Sequence, residues 1–219
     1  MKDHFLLKES VISEGEEELL VDYISSLLKR KRYEGNHWDS VIAQYKELEL
    51  HEHRNMPEGI LEVLDRLQSL IKQCYVNEID QFQPPHVIDL DAGGRIGHHV
   101  DSVKHSGGVL CGLSLMSSRI MELAPEERGD GHGDFSRPIS RLRYHLPPRS
   151  LYFLEGPLRF QFTHSILGKD DWDSSDRIFC AMASNESDYD AAVQRRLSIV
   201  FRDVPGNLEG KDKLGLLHL

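Results

Sequence analysis

The second half of the chain consists of short segments rich in β-branched and aromatic residues, and this feature most restricts the possible folds. From Pro85 onward, Gly, Pro, Ser and Asp residues separate these segments from one another. Seven of them have the composition of strands: HVIDL, GGVLCGLSL, SRIMEL, ISRLRYHL, SLYFL, RFQFTH and RRLSIVFRDV. Because no helix is predicted between them, the pattern indicates an antiparallel sandwich or jelly roll.

The first 80 residues, by contrast, are predicted to be mainly helical. A capping box at Ser13 precedes apolar residues at helical spacing, and Pro57 suits the first turn of a second helix. The segment between the two helices gives no clear pattern. We therefore predict an α+β, mainly β protein with one domain over 1–205 and a C-terminal tail over 206–219. Helices in the part spanning 1–80 would buttress a jelly-roll core spanning 85–205.

Composition narrows the range of partners and compartments. The net charge of −10 disfavours binding to a phosphate backbone, and no apolar run is long enough to enter a membrane as a helix. Three scattered cysteines indicate a reducing compartment, and the N-terminus has no signal-peptide pattern, so the sequence alone predicts a cytoplasmic protein. Two long polar segments, 124–138 and the acidic 165–194, are expected to be functional or disordered.

Two adjacent histidines followed by an aspartate form the most informative short motif, GHHVD. Residues i and i+2 of a strand face the same side, so His99 and Asp101 can project into one cavity. His98 and Val100 would then point the other way, which makes His98 a bystander. The alternative is a solvated turn, because an HxD triplet occurs often by chance.

A third ligand would have to come from elsewhere in the chain. His164 ends the strand-like run LRFQFTH, and with His99 and Asp101 it gives the composition of a two-histidine, one-carboxylate site for non-haem Fe(II). Such a site leaves coordination positions open for a chelating cosubstrate and O₂.

The last predicted strand carries two arginines on one face. Arg196, Ser198, Val200 and Arg202 share that face, which could bind a dicarboxylate such as 2-oxoglutarate through a guanidinium. The alternative is that this face is a solvated strand surface. Tyr152, inside the run SLYFL, needs a hydrogen-bond partner if it is buried.

Three stretches together carry a resemblance to a known family: HVIDLDAGGRIGHHVDSVKHSGGVLCGLSLMSSRIMEL, PPRSLYFLEGPLRFQFTHSIL and RRLSIVFRDVP. They resemble the AlkB-like Fe(II)/2-oxoglutarate-dependent dioxygenases over about residues 5–205, most of all a mitochondrial branch. The resemblance implies a double-stranded β-helix with Fe(II) and 2-oxoglutarate as cofactors. It also implies the site residues: His99, Asp101 and His164 as catalytic iron ligands, and Arg196, Arg202, Tyr152, Ser198, His86 and Ile88 around the cosubstrate.

Some features depart from the family pattern. Relatives tend to have proline at the position of His98, and members that demethylate nucleic acids carry base-clamping hairpins before the HxD motif. Here the region from Pro57 to about Val76 is predicted as helix, with no aromatic and basic hairpin. The acidic segment 165–194 would also repel a phosphate backbone.

Three functions therefore stay open. The first is a monomeric hydroxylase that uses O₂ and acts on a protein or small molecule. The others are a nucleic-acid demethylase with the same centre and a non-catalytic jelly-roll interaction module. The resemblance also implies a mitochondrial matrix location and a role in regulated necrosis or fatty-acid metabolism.

Overall fold

The computed structural model describes residues 5–36, 41–51, 56–75, 79–125, 141–168, 171 and 194–205. Most of both long polar segments and the whole predicted C-terminal tail lie outside these residues. The described residues form ten strands and three helices in this order: β1 (Phe5–Lys8), α1 (Glu14–Leu28), β2 (Glu34–Asn36), β3 (Ile42–Glu49), α2 (Glu58–Cys74), β4 (His86–His99), β5 (Leu110–Leu115), β6 (Arg119–Pro125), β7 (Leu142–Leu146), β8 (Ser150–Leu154), α3 (Pro157–Phe160), β9 (Phe162–Ile166) and β10 (Arg196–Arg202).

All seven predicted strands are present, as β4 to β10. One detail differs, because the first residues of the run RFQFTH belong to the one-turn helix α3 instead of the strand. Gly156 precedes that helix at a positive φ of 53°, which glycine adopts without strain, and Pro157 fits its first position.

Helices α1 and α2 pack against one face of the sheet, as predicted. Ser13 and Glu16 form the capping box of α1, with the Glu16 amide donating to Ser13 Oγ at 3.3 Å. Apolar side chains on one face of each helix, such as Leu20 and Leu67, share a core with Leu113 of the sheet. Among the described residues, neither these helices nor α3 is long and apolar enough to cross a membrane.

The N-terminal part also contains strands, so the prediction of a helical segment over 1–80 is wrong for β1, β2 and β3. Strand β1 pairs with β8, while β2 and β3 form an antiparallel hairpin that lies along β4. The composition of β3 hides it, since IAQYKELE lacks the strict apolar alternation of a half-buried strand. A hairpin therefore does precede the HxD motif, although the predicted helix after Pro57 is present.

Strand β4 joins the two parts of a curled antiparallel sheet. The strand order is β1-β8-β5-β10-β4-β9-β6-β7, and β3 pairs with β4 outside that path. The first half of β4 pairs with β10, at Arg196 and Leu90, whereas its far end pairs with β9, at His99 and His164. Side chains from both parts of the sheet meet in a second core. The fold is the predicted jelly roll, or double-stranded β-helix, and its interior lies between the two parts.

Candidate metal centre

His99, Asp101 and His164 converge at the end of β4. Each offers one ligand atom, and these atoms all lie within 4.8 Å of one another. Asp101 Oδ1 lies 3.2 Å from His99 Nε2 and 3.5 Å from His164 Nε2. Two details differ from the sequence analysis: Asp101 follows the end of β4, and His164 lies in the middle of β9, directly opposite His99.

The tautomer of His99 directs a nitrogen lone pair into this cluster. Its Nδ1 lies 3.0 Å from the main-chain oxygen of Gly97, which can only accept a hydrogen bond. Nδ1 therefore carries the proton, and Nε2 faces Asp101. A hydrogen bond from the far ring nitrogen to a carbonyl is the usual way in which a metal-binding histidine is oriented.

Burial and charge set the protonation of the site. Burial alone would raise the pKa of Asp101, but the neighbouring His99 ring and the charge of Arg202 hold that pKa well below its usual range. Burial also lowers the pKa of His164 to about 3, with a further contribution from neighbouring His99. Asp101 is thus ionised and His164 neutral, which are the forms that bind a cation.

His98 points to the opposite face of β4. Its Nε2 lies 2.9 Å from Glu122 Oε1, and its Nδ1 lies 3.0 Å from Thr163 Oγ1. Arg143 Nε also donates to the Glu122 carboxylate, at 2.6 Å. His98 therefore belongs to a polar cluster behind the two strands, away from the three candidate ligands, as its position in the strand predicts.

The arginine-bearing face of β10 points into the jelly roll, so the alternative of a solvated face is wrong. Arg196, Ser198 and Val200 are buried, and Arg202 is half-buried. Arg196 Nε donates to Ser114 Oγ at 3.1 Å, and Ser198 Oγ donates to the main-chain oxygen of Ile88 at 3.4 Å. The buried guanidinium of Arg196 offers the planar donor geometry that suits a carboxylate.

Arg202 links this face to the candidate ligands. Its Nε donates to Asp101 Oδ2 at 2.6 Å, and its Nη1 donates to His86 Nδ1 at 3.2 Å. The structure thereby brings His86, on β4, into one hydrogen-bonded group with Arg202 and Asp101.

Tyr152 lies in the same interior. It is 5% exposed and shares an apolar core with Ile88 of β4. Burial raises the pKa of its hydroxyl to about 12, so that the group stays protonated and can donate. Its ring lies across Gly112 of β5, where an added Cβ would lie only 2.3 Å from the ring atoms. Glycine at 112, between β8 and β10, therefore makes room for the tyrosine.

The sequence did not indicate two further residues around Asp101. Arg159, on α3 and 1% exposed, donates from Nη1 to the main-chain oxygen of Asp101 at 2.9 Å. Glu47, on β3, lies 2.9 Å from His86 Nε2 through its Oε2. In the sequence, Arg159 is marked only as a basic residue within an apolar run, and nothing marks Glu47. Both contacts join residues that are distant in sequence, so no local pattern predicts them.

Comparison with known proteins decides the family. The chain is 29% identical over 205 residues to the mouse protein named alpha-ketoglutarate-dependent dioxygenase alkB homolog 7, mitochondrial, a match covering 94% of this chain and 80% of that protein. It is 32% identical over 167 residues to the bovine protein of the same name, covering 76% of this chain and 69% of that protein. The chain belongs to this alkB homolog 7 family. No protein-family model matches it.

Solved structures agree in fold. A prolyl hydroxylase from Trichoplax adhaerens, in complex with a peptide fragment of the hypoxia inducible factor oxygen degradation domain, matches with a TM-score of 0.61 at 12% identity, covering 93% of this chain and 84% of that one. A prolyl-4-hydroxylase from Pseudomonas putida matches with a TM-score of 0.56 at 12% identity, covering 93% and 94%. At these identities the likeness concerns the fold alone.

As a member of this family, the protein is a dioxygenase that uses Fe(II) and 2-oxoglutarate. The latter is the compound that the names of the relatives call alpha-ketoglutarate. The residues present fit both cofactors. Two imidazoles and one carboxylate on one face are the donor set for non-haem Fe(II) that leaves positions open for a chelating cosubstrate. A buried guanidinium on the neighbouring strand suits the second carboxylate of a dicarboxylate.

Proposed function

We propose that this dioxygenase hydroxylates a protein side chain or a small molecule, with Fe(II) held by His99, Asp101 and His164. The convergence of these three ligand atoms within 4.8 Å carries the proposal. Arg196 would hold the distal carboxylate of 2-oxoglutarate, and Arg202 would orient the Asp101 carboxylate through the hydrogen bond at 2.6 Å. The remaining pocket residues would be Tyr152, Ser198, His86 and Ile88.

The two cofactors, when bound, supply the oxidation by O₂ that converts 2-oxoglutarate to succinate and CO₂ and places one oxygen atom in a C–H bond of the substrate. The protein's own contribution is to hold and orient these groups. The Asp101 carboxylate is the anionic ligand, and its low pKa keeps it ionised across the physiological range. The buried apolar residues Leu110, Leu123 and Val200 of the jelly-roll interior would limit the access of water to the reacting groups.

A protein or small-molecule substrate is favoured over nucleic acid. The chain carries a net charge of −10, which opposes association with a phosphate backbone. A solved neighbour of this fold is a prolyl hydroxylase in complex with a peptide fragment, which supports a protein substrate for this chain. We therefore rank hydroxylation first, and demethylation of nucleic acid and a purely non-catalytic role as the alternatives.

The proposed location is the mitochondrion, specifically the matrix, because both curated relatives are named mitochondrial. The family resemblance extends this proposal to a cellular role in regulated necrosis or fatty-acid metabolism. Cells that lack the protein would be compared with normal cells for necrotic death and for fatty-acid content. Restoration by the wild type but not by Asp101→Ala would link either phenotype to the metal centre.

The reaction itself is tested with the purified protein. Succinate formation from 2-oxoglutarate is measured with and without Fe(II), for the wild type and for Asp101→Ala. We expect iron-dependent succinate from the wild type alone, including a slow uncoupled rate without substrate. If the wild type bound neither Fe(II) nor 2-oxoglutarate, the result would favour the non-catalytic interaction module. Stimulation by an alkylated oligonucleotide, but not by mitochondrial peptides or metabolites, would favour the demethylase.

A further inference from the structure

We infer that Glu47 is a positioning residue for the metal centre, acting on Asp101 through His86 and Arg202. The inference rests on the proposed function, since it concerns how one of the proposed iron ligands is held. Glu47 belongs to β3, in the hairpin that lies along β4, and its described hydrogen bond goes to His86 instead of to a candidate ligand. The hairpin would thus contribute to the site without reaching it.

Three consecutive hydrogen bonds connect Glu47 to Asp101. Glu47 Oε2 lies 2.9 Å from His86 Nε2, and His86 Nδ1 lies 3.2 Å from Arg202 Nη1. Arg202 Nε then donates to Asp101 Oδ2 at 2.6 Å. All four side chains are buried or half-buried, so bulk water does not freely replace these bonds.

The chemistry of the groups fixes the direction of every bond. A guanidinium can only donate, so His86 Nδ1 must accept from Arg202. The ring proton of neutral His86 therefore lies on Nε2, where Glu47 accepts it. Without an acceptor at Glu47, His86 can carry its proton on Nδ1 instead, and two donors would then face each other at Arg202. Glu47 thus holds His86 in the one tautomer that keeps Arg202 on Asp101.

Asp101 needs such support because it lies beyond the end of β4. Its main chain is outside the described strands, so side-chain contacts must set the direction of its carboxylate. Arg202 has a long side chain with many rotamers, and only some of them place its guanidinium on Asp101. Each further hydrogen bond to the guanidinium favours the rotamer that contacts Asp101.

The same strand provides a matched control. Glu49 lies two residues after Glu47 on β3, so both side chains leave the same face. In register, Glu49 is the residue opposite His86, yet its carboxylate pairs with exposed His51 at 3.2 Å. Replacing Glu49 therefore removes an equal charge from the same strand and leaves the connection from Glu47 to Asp101 intact.

The test measures binding without turnover. We titrate Fe(II) anaerobically, in the presence of saturating 2-oxoglutarate, into four purified proteins: the wild type, Glu47→Ala, Glu47→Gln and Glu49→Ala. The visible charge-transfer absorption of the ternary complex reports Fe(II) binding. Thermal unfolding of each metal-free protein is recorded in parallel. We expect Glu47→Ala to weaken Fe(II) binding roughly two- to tenfold, the range of one hydrogen bond, with an altered absorption band. Glu47→Gln, which keeps an acceptor oxygen, and Glu49→Ala should bind like the wild type.

A double-mutant cycle shows whether Glu47 acts through His86. Once His86→Ala has removed the intermediate ring, adding Glu47→Ala should weaken Fe(II) binding no further. Equal binding by Glu47→Ala and the wild type would overturn the inference, as would additive effects in the cycle. If Glu47→Gln bound Fe(II) as weakly as Glu47→Ala, the proposed role of the His86 tautomer would be wrong. Because these outcomes presuppose Fe(II) binding by the wild type, they differ from failure of the proposed function, in which the wild type itself binds no iron.

Discussion

Arg159 holds the main chain of Asp101, through a hydrogen bond of 2.9 Å from its Nη1 to the Asp101 carbonyl oxygen. The same guanidinium reaches the main-chain oxygen of Ser106 at 3.5 Å through Nη2. The segment that follows β4 is thus tied to α3 at two points. Since Arg202 binds the carboxylate of Asp101, two arginines from different elements fix one residue at its backbone and at its side chain.

Replacing Arg159 with Met should therefore loosen the centre. We expect Fe(II) affinity to fall by about 10–100-fold, the usual effect of losing a group that orients a ligand. The free energy of unfolding should also fall by about 1–3 kcal/mol, because two buried carbonyls lose a donor. Metal titration and urea unfolding measure the two effects. Arg95→Met, at an exposed arginine of β4 that pairs with Asp171, is the matched control and should change neither by much.

Removing the carboxylate from the proposed metal site should have a larger effect. Asp101→Ala leaves two imidazoles and no anionic ligand, so we expect Fe(II) binding to be lost. His98→Ala should keep Fe(II) affinity within about twofold, because His98 contacts Glu122 on the other face of β4. Equilibrium dialysis against Fe(II) under argon checks both variants. If His98→Ala lost the metal and His99→Ala kept it, the ligand assignment would be wrong.

The position of Arg196 predicts a specific loss of cosubstrate binding. A buried charge pair left half-made costs about 2–5 kcal/mol, so Arg196→Ala should raise the dissociation constant for 2-oxoglutarate roughly 30-fold or more. Calorimetric titration with Mn(II) in place of Fe(II) measures that constant without turnover. The neighbouring Arg195 faces the other way and pairs with buried Asp89. Arg195→Lys should leave 2-oxoglutarate affinity unchanged, whereas Arg196→Lys, which loses the bidentate geometry, should weaken it.

The sequence predicted which candidate ligands lie together better than it predicted the residues around them. An HxD triplet at a strand end restricts two side chains to one face through local geometry, so His99 and Asp101 could be inferred as a pair. The contact between His99 and His164 is a pairing of distant strands, so local geometry did not predict it; His164 was proposed from its place at the end of a strand-like run and from the family resemblance. Arg159 was missed because it binds a carbonyl oxygen, a group that every residue carries.

In the fold too, elements set by residues close in sequence were predictable, and elements that depend on distant pairing were not. Helix α1 was predictable because Ser13 and Glu16 form its capping box within four residues. The hairpin of β2 and β3 was not, because its polar residues gain their burial from pairing with β4. Glu47 became visible as part of the site only once that pairing placed it beside His86.

Glu16 gives a prediction for the pH dependence of stability. The hydrogen bond from Arg66 on α2 is the main cause that lowers the pKa of Glu16 from 4.5 to about 2. A carboxyl group whose pKa is lower in the folded state stabilises the fold fully above its ordinary pKa, and this contribution is lost as the pH falls through about 2.

Glu16→Gln tests that contribution, because glutamine keeps the capping box but not the charge. Arg66 is half-exposed, so solvent screens the pair and we expect a loss of about 1 kcal/mol at neutral pH. Denaturant unfolding from neutral pH down to about pH 3 should show the difference from the wild type shrinking with acidity. A difference that stayed constant with pH would mean that the charge of Glu16 does not contribute.

Oligonucleotide binding separates the two enzymatic alternatives. The net charge of −10 predicts no electrophoretic mobility shift with single- or double-stranded oligonucleotides at physiological salt. Micromolar binding with a steep salt dependence would contradict this prediction. It would mean that basic residues such as Lys31, which donates to the main chain of the hairpin at Glu47, form a track for phosphates. The demethylase would then become the leading candidate.

The long strand β4 has a consequence for how the protein matures. Asp101 and Arg202 contact each other at the end of this strand, yet they stand 101 positions apart in the chain. A growing polypeptide therefore carries His99 and Asp101 well before β9 and β10 have been synthesised to complete their surroundings. If these residues hold iron as proposed, Arg202 would complete the surroundings of Asp101 only after synthesis has reached the last strand, and metal loading would be a late event in the life of each molecule.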